Sequence, residues 1–146
     1  MAATLPNKEA PGTPIAVSFP LPRAPQTEIH VQLINTGASL LVFLTTTTPT
    51  PSTAAPLGSF VYAMPNRSSP ANPLSTPLYN YDATVDFATR LAKVLARKAD
   101  KPVYVGNSIG FASAGMGGTV EEQMEGFRRC VEVVVGLLER EKESST

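Results

Sequence analysis

Residues 82–105 read DATVDFATRLAKVLARKADKPVYV, and this stretch decides the fold. Phe87, Ala88, Leu91, Val94 and Leu95 recur at i, i+1, i+4, i+7 and i+8. That spacing draws one apolar stripe along an α-helix from Asp82 to Ala99. Asp82 is the expected N-cap, because a carboxylate can accept from the orphan N–H groups of a first turn. Arg97, Lys98 and Lys101 fall where the helix dipole favours cations. Pro102-Val103-Tyr104-Val105 then reads as a β-strand.

The strands that this helix can cover lie upstream. Pro14-Ile15-Ala16-Val17-Ser18-Phe19 alternates, with Ile15, Val17 and Phe19 on one side, and Glu28-Ile29-His30-Val31-Gln32-Leu33 does the same. Asn35-Thr36-Gly37 supplies a turn in which Gly37 can take positive φ. Residues 39–45 are apolar on both faces, as a central strand requires. Ser59-Phe60-Val61-Tyr62-Ala63-Met64 is a fourth strand, and a short fifth lies around 74–79, where Pro77 favours a sheet edge. The first three strands form a meander. Downstream, Thr119-Val120-Glu121-Glu122 is a capping box. Val120, Met124, Phe127, Val131, Val134 and Leu138 follow at alternating spacings of four and three, widened by Cys130 and Val135.

The expected fold is therefore α+β: a mainly antiparallel six-stranded sheet with two main helices, about 82–99 and 119–142, packed on it. Residues 13–142 form one domain. Residues 1–12 are expected to be a disordered tail, 45–56 a low-complexity Thr/Pro loop, and 143–146 a second tail.

Composition narrows the function. The 146 residues carry 12 basic and 12 acidic groups, for a formal net charge of zero, which argues against nucleic-acid or anionic-membrane binding through bulk charge. Charged residues make up 16%, below the roughly 25% of ordinary soluble domains, and only five of them precede Asp82. Thirteen of the 14 prolines precede Leu78. One cysteine excludes an intrachain disulfide and points to a reducing, intracellular compartment. No apolar run approaches the ~20 residues that span a bilayer, and residues 1–6 lack a signal-peptide pattern, so neither secretion nor membrane insertion is expected.

Chemistry has few candidates. Gly106-Asn107-Ser108-Ile109-Gly110 matches the G-x-S-x-G of a nucleophile elbow and follows a strand. Against it, the sole histidine, His30, precedes the serine, no helix follows directly, and the chain is short for that scaffold. A turn serine in a Gly-rich loop is the simpler reading. Gly115-Met116-Gly117-Gly118 precedes a helix, yet no phosphate-loop Lys is present. A lone His and a lone Cys cannot make a zinc site. His30 reads as a surface or interface side chain and Cys130 as a small buried hydrophobe. Neither a catalytic residue nor a cofactor nor a metal is expected.

What remains is surface. Six strands at ~4.8 Å spacing span ~25–30 Å, while two helices of ~10 Å diameter cover roughly 20 Å of one face. Apolar residues nevertheless occupy both faces: Leu40, Val42 and Leu44 against Leu41 and Phe43, and Phe60, Tyr62 and Met64 against Val61 and Ala63. One face lacks cover within the chain, so a partner is expected there. The candidate interface residues are Leu41, Phe43 and Val61 from the sheet, with Arg97, Lys98 and Lys101 as charges for an acidic protein partner.

Ser75-Thr76-Pro77-Leu78, the run from Thr89 through Leu95-Ala96-Arg97-Lys98-Ala99-Asp100-Lys101 to Val103-Tyr104-Val105, and the acidic start Glu121-Glu122-Gln123-Met124 resemble the proteasome assembly chaperone 4 family. That family shows an S-T-x-L segment, a helix ending L-A-R-K-x-x-K and a strand of the type V-[FY]-V. The insert at 45–56 and the glycines at 115–118 depart from its pattern. The resemblance implies a non-catalytic, cytoplasmic or nuclear chaperone that pairs with proteasome assembly chaperone 3. It further implies binding to α subunits, on the face where β subunits later dock, during assembly of the 20S proteasome α-ring, with release before the particle matures. The competing classes are a small serine hydrolase using Ser108 and a generic dimeric adaptor.

Overall fold

The computed structural model describes residues 12–21, 24–47, 57–109 and 120–145. In chain order the elements are β1 (Ile15–Leu21), β2 (Ala24–Asn35), β3 (Leu40–Thr47), β4 (Ser59–Met64), β5 (Leu74–Tyr79), α1 (Asp82–Ala99), β6 (Val103–Asn107) and α2 (Val120–Ser145). The six strands form one sheet in the order β1-β2-β3-β6-β4-β5. Only β3 and β6 run parallel; the other pairs are antiparallel, and two helices complete an α+β fold. The first three strands form a meander, and β5, with Pro77, is an edge.

β6 enters last and takes the middle place. Its register ties both halves together: Val42, Val105 and Val61 lie side by side, as do Leu41, Tyr104 and Tyr62, and Phe43, Gly106 and Phe60. Because side chains alternate across a strand, each of these rows lies wholly on one face. The row Val42-Val105-Val61 joins Ile29, Val31, Leu33, Leu40 and Val103 beneath the helices, all fully or nearly fully buried. α1 lays Ala88, Leu91, Ala92, Leu95 and Ala96 on that surface. At about 25 cal/mol per Å² such burial is the main stabilising term.

Several boundaries differ from expectation for local reasons. Tyr81, in an extended conformation, is the N-cap of α1, and Asp82 is the first helical residue instead. No side chain caps the first turn, but a strand residue anchors it: Ser59 Oγ accepts from the Tyr81 N–H at 2.9 Å and lies 2.8 Å from Thr84 Oγ1. At the other end Asp100 adopts a left-handed φ of 56° and donates its N–H to the Ala96 carbonyl. Gly12, placed in the tail by the sequence, donates to the Asn35 carbonyl at 2.9 Å. β3 continues to Thr47 because Glu28 pairs with it. Gly106 and Asn107 belong to β6, not to a loop. α2 reaches Ser145, three residues beyond the expected end. The stretches 1–11, 48–56 and 110–119, with Thr119 of the capping box, lie outside the described residues.

α2 is also turned relative to its expected stripe. The buried line is Glu122, Gly126, Cys130, Val134 and Leu137, while Met124 is 64% exposed. Phe127 meets Phe87 edge-on at 5.4 Å, at the margin of the contact with α1, so Met124 one turn earlier overhangs solvent. The far end is fastened where Asn35 Nδ2 donates to Glu141 Oε1 at 2.9 Å.

Asn107, fully buried at the end of β6, donates from Nδ2 to the Thr84 carbonyl and accepts from the Ile109 N–H through Oδ1, both at 3.2 Å. Asn107→Ala removes both bonds and leaves the Ile109 N–H unpaired. Urea unfolding is expected to show a loss of about 1–3 kcal/mol, and an unchanged midpoint would show that water replaces the side chain.

Candidate functional site

Among the described residues, no helix lies on the other face of the sheet. Across β3, β6 and β4 it presents Leu41, Phe43, Tyr104, Phe60, Tyr62 and Met64, with Leu57 beside them. Phe43 and Phe60 stand on strands two places apart, ~9.6 Å at ordinary spacing. Their rings nevertheless stack with centroids 6.1 Å apart and planes within 2°. Gly106 between them makes this possible. A Cβ there would lie 2.7 Å from Phe43 Cδ1 and 2.9 Å from Leu57 Cδ1. The stack continues through Phe60 and Tyr104 at 5.9 Å and through Tyr104 and Tyr62 at 4.9 Å, separations at which aromatic pairs attract. The result is a continuous aromatic band over the seam of the sheet.

Toward β1 and β2 the same face turns polar, with Ser18, Glu28, His30 and Gln32 in register beside Thr45. A shallow trough of about 640 Å³ lies there, walled by Phe43 and Leu57 and floored by Ala16, Ser18, His30, Gln32 and Gly106. Toward β5 the face is open as well, and Leu74, Thr76 and Tyr79 are exposed.

The six residues expected at an interface separate into three places. Leu41 and Phe43 are half-buried on the open face. Val61 is corrected: it is 0% exposed and lies under α1, because its register partner Val105 points to the helix side. Arg97 and Lys98 are exposed on the last turn of α1, in the helix layer rather than on the open face. Lys101 is engaged within the chain, donating to Asn35 Oδ1 at 3.3 Å and to the Gly37 carbonyl at 3.2 Å. Sequence reasoning passed over Phe60, Tyr62 and Tyr104. Alternation showed that they share faces within their strands, but only the insertion of β6 beside β3 aligns them with Phe43.

Ser108 is a structural serine. Its Oγ donates to Thr45 Oγ1 at 2.8 Å and lies 3.4 Å from the Leu44 carbonyl, while its N–H donates to that carbonyl at 2.9 Å. Cys130 is buried, and desolvation pushes its thiol up to about 12. Among the described residues no cluster of His, Cys, Asp or Glu could hold a metal ion, and no helix is long and apolar enough to cross a membrane.

A six-stranded α+β sheet with two helices is a fold already seen in a solved structure. A chain of the crystal structure of a chaperone complex for yeast 20S proteasome assembly superposes with a TM-score of 0.61 and 17% identity, over 85% of this chain and 95% of its own. The likeness establishes the fold. The family is more specific: the model of proteasome assembly chaperone 4 matches residues 28–109, more than half of the chain, and the chain belongs to that family. Comparison with curated protein sequences finds no match. The match begins at Glu28, so the resemblance extends upstream of Ser75 into β2, β3 and β4.

Two measurements probe this geometry. Gly106→Val should splay the Phe43–Phe60 stack, lowering stability by about 1–3 kcal/mol in urea unfolding and reducing near-ultraviolet dichroism; an unaltered aromatic signal would show that the rings do not depend on the glycine. Cys130 should resist thiol reagents in the native state. An unfolded thiol releases its proton near 9.0 and the folded one only at about 12, so stability should decline as pH rises from 9 toward 12. Rapid native labelling would contradict the burial.

Proposed function

We propose that this chain acts as a non-catalytic assembly chaperone in the cytoplasm and nucleus, as one half of a heterodimer with proteasome assembly chaperone 3. The pair binds α subunits and promotes assembly of the 20S proteasome α-ring, then dissociates. The aromatic band on the open sheet face is the observation that carries this reading. A contiguous apolar surface of this extent is characteristic of a partner site. Aromatic residues are also the side chains most enriched at interface centres.

The sheet edges favour face-on docking over strand addition. β1 contains Pro20 and β5 contains Pro77, each a break in the backbone donors that edge pairing requires. Arg97 and Lys98 project from the helix layer, away from that face, and suit an acidic surface on an α subunit. Lys101 does not share this role, since it is spent on the turn after β2. The geometry of Ser108 speaks against the hydrolase alternative, since its hydroxyl donates to Thr45 Oγ1.

Coexpression with the companion and pull-down, followed by mass spectrometry, tests the reading. α-ring subunits are expected among the captured proteins; capture of the companion alone, or of unrelated proteins only, would make the chain a generic adaptor. Phe60→Asp with Tyr62→Asp should abolish pairing with the companion, by at least ~100-fold, while leaving the helix content of the chain unchanged. Arg97→Glu with Lys98→Glu should leave that pairing intact and slow capture of α subunits, with a shallower salt dependence. Undiminished capture across a salt series would remove both residues from the functional surface.

A further inference from the structure

The open face has a raised half and a hollow half. The raised half is the aromatic band of Phe43, Phe60, Tyr62 and Tyr104 on β3, β4 and β6. The hollow half is the trough over β1 and β2, whose floor includes the small residues Ala16 and Ser18. β3 runs between the two, with β2 and β1 on one side and β6 and β4 on the other. A two-fold axis lying between two such faces and running along β3 carries β6 and β4 of one copy over β2 and β1 of the other. Each band then meets the other copy's trough, twice in the same pair.

We infer that, without the companion, two copies of this chain pair face to face through the open sheet, band into trough. Charge does not oppose the pairing. Among the described side chains that point to this face, Glu28 is the one carboxylate and no Lys or Arg occurs. The whole chain has a formal net charge of zero, so two copies approach without bulk repulsion. The area is of the right order. Six strands at ~4.8 Å spacing and about six residues at ~3.3 Å give a face of roughly 580 Å² in projection, and side-chain relief raises it toward the ~800 Å² per partner of a standard interface. Apolar surface flanks the band as well, with Leu57, Leu74 and Tyr79 exposed by 45%, 53% and 59%. Two sheets packed in this way lie ~10 Å apart and shield these side chains from water. The inference does not rest on the companion reading. It sets a competition, since both partners need the same face, and the companion then enters by displacing a copy.

The test is sedimentation equilibrium of the purified full chain, alone, over a concentration series. The wild type should rise from the 15.5 kDa of one chain to twice that mass. Tyr62→Asp puts a charge on the band and Ser18→Arg puts one in the trough, and circular dichroism checks that both variants fold. Each should dimerise at least ~10-fold more weakly than the wild type, because an unpaired charge is desolvated in both contacts. An equimolar mixture should dimerise more tightly than either variant alone, since a mixed pair has one Asp–Arg contact and one unaltered contact. A wild type that stays at the single-chain mass, or variants that dimerise as the wild type does, would overturn the pairing. A mixture no tighter than its components would overturn the band-into-trough arrangement. Ser18 is exposed on an edge strand, so Ser18→Arg against the wild type decides the use of the face even if Tyr62→Asp does not fold. Adding the companion should convert the pair into the heterodimer; a pair unmoved by it would overturn the companion reading and leave this one standing.

Discussion

The sheet depends on one five-residue strand. β1-β2-β3 and β4-β5 are each antiparallel units that follow locally from the chain, but no ladder joins them directly. β6 supplies both missing ladders, parallel to β3 and antiparallel to β4. Everything of consequence lies along this seam. Val103 and Val105 complete the core on one side, Tyr104 and Gly106 complete the aromatic band on the other, and Asn107 ties the end of the strand to the first turn of α1. Central strands tolerate little here: a side chain at Gly106 meets rings, and a shorter one at Asn107 strands a buried N–H.

Much of this was legible from residues alone. The 82–99 span of α1 was legible because its apolar stripe is long and its flanks are polar, although its N-cap fell one residue earlier than expected. β4 and β5 were equally plain, since alternation and proline placement are local signals. The two-faced apolar character of the middle strands was also visible. The choice of face was not. Val61 and Phe43 look equivalent as alternating apolar residues, and only the register through Val105 and Gly106 sends one under α1 and the other into the open. The rotation of α2 escaped for a similar reason: Met124 fits the spacing, but where a helix settles on another is decided by packing at Phe87 and Phe127. Ser59 as the anchor of the α1 N-terminus, 22 residues upstream of Tyr81, carries no local signal at all.

The charged residues divide by layer, and this division separates two tasks. The open face is aromatic and nearly neutral, so burial and shape would dominate the association proposed there. The helix layer holds the exposed cations Arg97 and Lys98 and the surface ion pair Asp86–Arg90 at 3.3 Å. Exposed pairs of this kind add at most a fraction of a kcal/mol to stability. On the proposed reading, their layer is where long-range attraction to another protein would operate, apart from the open face.

Prolines in both edge strands have a consequence for stoichiometry. A sheet with receptive edges can extend itself strand by strand, and a chain with two adhesive surfaces can polymerise. Here Pro20 and Pro77 interrupt the two lateral routes of growth, and the helices close the third direction. Among the described residues one aromatic face remains, and once occupied it would leave no vacancy of the same kind. Assembly through this face, as proposed above, would be self-terminating and end at the pair.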